Sequence, residues 1–183
     1  NIIVENSANG IIGKGIKPIG ALNLSSNIYT KTDTTITALM AVYNGERWIR
    51  DAINSVLSQS EEDFELVIVN DGSTDSTASI IESFDDERLV VINQTNIGLT
   101  KSLNKGLNIA KGEFIARIDA DDICMPGRFY KQKKALVENP DVVLVGSNAI
   151  LIDVNNNEIG RAGYPLTNDM LLDRLRTFRS VFP

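Results

Sequence analysis

Three carboxylates, Asp119, Asp121 and Asp122, fall within four residues, directly after the apolar run Phe114-Ile115-Ala116-Arg117-Ile118. Like charges this close repel, so their concentration at the expected end of a buried strand calls for a compensating cation or for solvent. A divalent ion is the natural candidate. Aspartate oxygens are hard ligands suited to magnesium or manganese, and a small number of protein ligands leaves coordination positions for a diphosphate. A second polar cluster, Asn70-Asp71-Gly72-Ser73-Thr74-Asp75, follows another apolar run, Leu66-Val67-Ile68-Val69. Together the two clusters point to a site for a nucleoside diphosphate.

Such clusters need strands to carry them. From Ile36 onward, strand-like runs (36–42, 66–69, 89–92, 114–118 and 142–145) alternate with helical patterns, which predicts an α/β fold with a mostly parallel sheet covered on both faces. Trp48, Ile49, Ala52, Ile53, Val56 and Leu57 recur at helical spacing and form one apolar stripe. Ala78, Ile81 and Phe84 mark a second helix, capped near Ser73 to Asp75, and Leu99, Leu103 and Leu107 a third, closed by Gly112. After Pro126 a helix is expected from Gly127 to Glu138, ended by Asn139-Pro140. Residues 142–154 read as β-rich, Asn155-Asn156-Asn157 as a turn into Glu158-Ile159-Gly160, and 170–178 as a last helix. In open α/β sheets ligands lie beyond the carboxyl ends of the strands. Four polar clusters end the first four strands: Tyr43-Asn44-Gly45, Asp71-Gly72-Ser73, Asn96-Ile97-Gly98 and the acidic triplet. They are expected to converge on one rim as a binding site.

Residues 1–34 read differently: Gly10, Gly13, Gly15 and Gly20 punctuate short apolar pairs, which suggests a leader or linker. Gly10-Ile11-Ile12-Gly13-Lys14-Gly15 lacks the spacing and the Ser/Thr of a phosphate loop and is expected to be loop. Bulk properties narrow the function classes. A length of 183 residues with 43% apolar content suits one domain rather than two, and a net charge of -6 gives no general reason to bind nucleic acid. The single Cys124 has no intrachain disulfide partner, and the absence of histidine removes imidazole as a base or ligand. No apolar stretch approaches the ~20 residues needed to cross a bilayer, and no secretory signal pattern opens the chain, so a cytoplasmic location is expected. Beginning without Met and stopping at Pro183, the sequence reads as part of a longer protein.

Between about Thr35 and Gly163 the ordered motifs resemble those of the family 2 glycosyltransferases, nucleotide-sugar-dependent enzymes with the GT-A fold. The motifs are Ala41-Val42-Tyr43-Asn44-Gly45-Glu46, the segment from Asp63 to Asp75, Asn96-Ile97-Gly98-Leu99, and the segment from Gly112 to Asp122. Asn70 stands where the family often has aspartate and Ala41 where it often has proline. The resemblance implies a GT-A-like, Rossmann-related sheet whose acceptor side lies past the C-terminus of this chain, and a donor domain over residues 35–183. It implies that Ala41 and Tyr43 line a base pocket and that Asp71 bonds a uracil edge. An Asx turn or capping contact is the alternative for Asp71. Glu46 either bonds near the nucleoside or begins the following helix. Asp119-Ala120-Asp121 resembles the DxD motif, with aspartates on the ribose and on a Mn2+ or Mg2+ ion. Asp121 is the preferred metal ligand and Asp119 the second. Asp122 is expected to support the loop, and Lys101 and Asn104 either reach the donor or lie on a solvated helix face.

The implied reaction moves a sugar, with inversion, from a nucleotide sugar, expected to be a UDP-sugar, to a hydroxyl of a saccharide or lipid-linked acceptor. Cell-surface polysaccharide or glycolipid synthesis, with peripheral association at the inner membrane face, is the expected setting. The catalytic base of the family belongs to an acceptor-side motif expected beyond Pro183, and Asp153, Asp169 and Asp173 do not occupy it. Two other classes compete: a non-catalytic nucleotide-binding module, and a sugar-phosphate nucleotidyltransferase, for which Tyr43-Asn44-Gly45-Glu46-Arg47 is a poor phosphate loop. A phospho-receiver domain would need acidic residues where Tyr43 and Asn44 stand.

Overall fold

The computed structural model describes residues 12–14, 35–60, 63–163, 169, 170 and 173. Its elements run β1 (Ile12–Lys14), β2 (Ile36–Val42), α1 (Ile49–Leu57), β3 (Phe64–Asn70), α2 (Thr77–Glu82), β4 (Leu89–Asn93), α3 (Leu99–Ile109), β5 (Phe114–Arg117), α4 (Arg128–Glu138), β6 (Leu144–Val145), β7 (Ala149–Ile152) and β8 (Glu158–Ala162). One sheet has the order β4-β3-β2-β5-β1-β6, and β7 and β8 form a separate antiparallel hairpin. The first four of those strands are mutually parallel, whereas β1 runs antiparallel between β5 and β6.

Every residue of β2 and β3 is buried, which explains why both read as unbroken apolar runs rather than as alternating ones. The even-numbered side of β2 (Ile36, Ala38, Met40, Val42) joins one core with Ile49, Ala52, Ile53 and Val56 of α1, Ile81 of α2, and Phe129 and Leu136 of α4. Each such fully buried aliphatic contributes about 1.5–3 kcal/mol relative to exposure. On the odd-numbered side Leu39 lies under α3, where a Cβ on Gly106 would sit 2.3 Å from its Cδ1 and 3.3 Å from Val69 Cγ2. Helices therefore cover both faces.

The third helix is present, but its sheet-facing residues are Ser102 and Gly106, while Leu99 and Leu107 are 52% and 38% exposed. Small residues win the contact because they let the helix axis approach the sheet. The stretch 12–14 also departs from the expected loop. It pairs with Phe114, Ile115 and Ala116 on one side and with Leu144 and Val145 on the other. Three residues, Ile12-Gly13-Lys14, show no period of their own, so only the waiting edges of β5 and β6 define them as a strand. The rest of 1–34 lies outside the described residues. Of the expected last helix only Met170 and Asp173 are described, and both are helical. Among the described residues no helix is long and apolar enough to cross a membrane.

Candidate functional site

After β2 the chain builds outward through β3 and β4, then returns to place β5 on the opposite side of β2. The carboxyl ends of β2 and β5 are thus the switch point where a crevice opens in such sheets. Tyr43, 53% exposed, stands at the end of β2, with Ala41 buried one side-chain period below it. The acidic triplet stands at the end of β5, which is held level with β2 by the bond from the Ile118 amide to the Leu39 carbonyl (3.1 Å).

The first two polar clusters are fastened to each other. The amides of Asn44, Gly45 and Glu46 donate to Ser73 Oγ (3.0 Å), Thr77 Oγ1 (2.8 Å) and Asp75 Oδ2 (3.1 Å). In return the amides of Thr74 and Ser76 donate to Asn44 Oδ1 (2.8 Å) and Glu46 Oε2 (2.9 Å). Asn44 holds a left-handed φ of 54°, a conformation that asparagine tolerates better than most residues. Glu46 thus ties the loop after β2 to the entry of α2. Hydrogen bonds from Thr77 and from the Glu46 amide outweigh the opposing effect of burial and keep the Asp75 carboxyl below its usual range.

Asp71 is 3% exposed and fully engaged. Its carboxylate accepts from Gln94 Nε2, the Ile97 amide and the Gly98 amide, each at 2.8 Å. Burial pushes the carboxyl upward, but these three bonds together prevail and hold it below the ordinary value. Asp71 makes contacts of the capping kind: it ties the β4–α3 loop and the start of α3 to the end of β3. Gly72 makes this closeness possible, because at φ 75° a Cβ there would lie 2.6 Å from the Asn96 amide nitrogen. The Gln94 amide nitrogen also reaches Ser102 Oγ (2.8 Å), which fixes its orientation and leaves its buried Oε1 without a hydrogen bond among the described residues. Lys101 and Asn104 are both exposed on α3.

The acidic loop turns back on itself through the Asp122 amide and the Asp119 carbonyl (3.2 Å). Two arginines answer part of its charge. Arg117 forms an ion pair with Asp119, both half-buried. Arg128, with no exposed surface, sits behind the loop and donates to the Arg117 carbonyl (2.9 Å), to Gln132 Oε1 (2.9 Å) and to Cys124 Sγ (3.7 Å). Burial works against its charge, and attraction to Cys124 and Asp122 works for it. Burial pushes the Cys124 thiol upward, away from a reactive thiolate. The far end of the loop is pinned to α1, since the Cys124 amide donates to Ser55 Oγ (2.8 Å) and Gln59 Nε2 donates to the Met125 carbonyl (3.0 Å). That leaves Asp121 as the exposed carboxylate of the triplet, with no ion pair or hydrogen bond among the described residues. No three Cys, Asp or Glu side chains converge on an ion site among the described residues. The loop therefore fits a divalent ion held by one or two carboxylates with its remaining positions filled from a ligand, and does not fit an all-protein cage.

Sequence reasoning placed the four rim clusters together but missed Arg117 and Arg128. For Arg117 a signal existed: a lone cation inside an apolar strand, two residues before Asp119 and so on its side of the chain. Arg128 showed none, because a first-turn arginine ordinarily reads as solvated.

A family model described as Glycosyl transferase family 2 matches residues 37–180. The chain belongs to that family. A Rickettsia prowazekii protein named as an uncharacterized glycosyltransferase is 32% identical over 162 residues, which cover 87% of this chain and 48% of that protein. The putative glycosyltransferase EpsE of Bacillus subtilis is 36% identical over 122 residues, 64% of this chain and 44% of EpsE. Among solved structures, S. aureus TarS 1-349 in complex with UDP is similar at a TM-score of 0.52 and 32% identity, over 57% of this chain and 32% of that one. The chain spans less than half the length of each of these relatives. Its parallel four-stranded sheet flanked by helices is the GT-A arrangement of a family 2 glycosyltransferase.

Proposed function

We propose that this chain is the donor-binding part of a transferase that moves a sugar from a nucleoside-diphosphate sugar, first of all a UDP-sugar, to an acceptor hydroxyl with inversion. The observation that carries the reading is Asp121, a carboxylate with no cation partner among the described residues, at the switch point of a family 2 fold. Tyr43 offers an exposed ring for a base, over the floor made by Ala41. Asp71 and Glu46 hold the loops that shape the base side, and Asp71 would bond the edge of a bound uracil. Lys101 and Asn104 are the exposed α3 residues available to the donor. Asp121 would hold Mn2+ or Mg2+, with Asp119 as a second ligand shared with Arg117. A bound divalent ion would offset negative charge developing on the departing diphosphate.

The base that deprotonates the acceptor hydroxyl would belong to the family's acceptor-side motif, which Asp153, Asp169 and Asp173 do not occupy. The family analogy extends to cell-surface polysaccharide or glycolipid synthesis at the cytoplasmic membrane face, with a saccharide or lipid-linked acceptor. UDP in the TarS complex makes uridine the first nucleotide to test. Asp121→Ala should lower manganese-dependent UDP affinity at least tenfold, read by calorimetry, with an unchanged circular dichroism spectrum. Undiminished binding by the folded variant would remove Asp121 from the site.

A further inference from the structure

Gln94 directly follows β4 and keeps a buried Oε1 that has no hydrogen bond among the described residues. A buried acceptor in that state costs stability, so another contact must fix the orientation of the amide. The Gln94 backbone is held to β3 by the bond from its amide to the Asn70 carbonyl (3.1 Å). Its side-chain Nε2 lies 2.8 Å from both Asp71 Oδ1 and Ser102 Oγ. Turning the side-chain amide over would let the Ser102 hydroxyl donate to Oε1, but would set Oε1 against the Asp71 carboxylate. Ser102, with no exposed surface, instead donates to the Gly98 carbonyl (3.0 Å). The orientation that orphans Oε1 is thus the one that keeps a donor on Asp71.

That donor limits what else Asp71 can accept. An ionised carboxylate has about four acceptor sites, shared between its two oxygens. Both oxygens of Asp71 are engaged, but unequally: Gln94 Nε2 and the Ile97 amide fill Oδ1, whereas Oδ2 takes the Gly98 amide alone. Burial opposes the charge and these bonds outweigh it, so the group remains an acceptor only. Among the described residues one acceptor site is left, on Oδ2. A base edge with a single N–H, such as N3 of uracil, matches it. Guanine presents N1–H and N2–H side by side and needs both oxygens, one of which is full. Cytosine sets a bare N3 against the carboxylate and is repelled.

We infer that Gln94 is a specificity-determining positioning residue: by occupying Asp71 Oδ1 it narrows the base site to a nucleobase that offers a single N–H donor. Gln94 acts through Asp71 rather than on the ligand. The inference rests on the donor-binding reading above and adds how that site selects its nucleotide.

With Mn2+ present, the chain, Gln94→Met and Ser102→Ala are titrated calorimetrically with UDP, GDP and CDP, with circular dichroism as the check on folding. Methionine keeps most of the volume of glutamine and has no donor. The wild-type chain should bind UDP at least roughly tenfold tighter than GDP or CDP. Gln94→Met frees a site on Oδ1, so the preference for UDP over GDP should narrow roughly tenfold while CDP stays excluded. Ser102→Ala removes the anchor of the Gln94 amide without altering Asp71, and should narrow the same preference by a smaller factor, about threefold. If Gln94 only holds the loop, its loss weakens all three nucleotides alike. An unchanged UDP-to-GDP ratio in folded Gln94→Met therefore overturns the inference, and if that variant does not fold, an unchanged ratio in Ser102→Ala does so. A wild-type chain that binds GDP or CDP as tightly as UDP overturns the inference and leaves the donor reading standing. One that binds none of the three sinks both.

Discussion

At the residue scale the acidic loop shows how charge is divided. Three carboxylates predicted a need for positive charge, and the fold meets part of it internally through Arg117 at Asp119 and buried Arg128 behind Asp122. Removing Arg128 would take a charged donor from the Arg117 carbonyl and from Gln132 Oε1 inside the core, so Arg128→Met should destabilise the chain by about 2–4 kcal/mol in urea unfolding. Asp71 makes the clearest pH prediction. Its carboxyl is held below the unfolded value of about 3.9, so its contribution to stability is complete above that value and is lost as pH falls through the lower, folded one. The amide signals of Ile97 and Gly98 should therefore titrate with a midpoint below about 3.9 in nuclear magnetic resonance and stay flat between pH 5 and 8. A midpoint near neutrality would contradict the assignment. Asp71→Asn keeps a single acceptor oxygen for three donors, so it should cost about 1–3 kcal/mol despite its small change in shape. The sequence made Asp71 legible as important but not its partners, because Gln94 and Ile97 come within reach only after β3 and β4 pair.

At the element scale the strand ends work as a set. The loop after β2 exchanges five backbone-to-side-chain bonds with the loop after β3 and the start of α2, three of them between Tyr43-Asn44-Gly45-Glu46 and Asp71-Gly72-Ser73-Thr74-Asp75. Unbroken apolar runs identified β2 and β3, and helical periodicity identified α1 and α2. It could not foresee how α3 sits, because the deciding residues, Ser102 and Gly106, carry little hydrophobic signal. Glycine substitutions separate two kinds of closeness. Gly106→Ala would press on the buried Leu39 side chain and should cost about 1–3 kcal/mol, partly offset by the ~1 kcal/mol gain in helix propensity. Gly112→Ala would bring a Cβ within 2.3 Å of the Thr37 amide nitrogen, and backbone yields less readily than a methyl group. Thermal unfolding should therefore rank Gly112→Ala as the more damaging of the two.

For the whole molecule, stability and site are unevenly placed. β2 and β3 lie wholly buried in the centre of the sheet, whereas β7 and β8 form a two-stranded unit with Leu151 and Ile159 exposed at 48% and 68%. Isolated hairpins of this kind are marginal on their own. Hydrogen exchange should show β2 and β3 amides protected to near the global unfolding free energy, and those of β7 and β8 opening at much lower cost. Equal protection would mean that the hairpin is held by more than its described contacts. A parallel sheet with its polar strand ends on one rim was legible from the alternation of runs and turns. The antiparallel insertion of 12–14 was not, because it depends on strands that lie a hundred and more residues away. The central claim, a donor site completed by a divalent ion at Asp121, is tested most directly by calorimetric titration of the chain with UDP in the presence and absence of manganese. Saturable UDP binding that strengthens at least tenfold with the ion is the predicted result, and a folded chain that binds UDP equally well without manganese, or not at all, would contradict it.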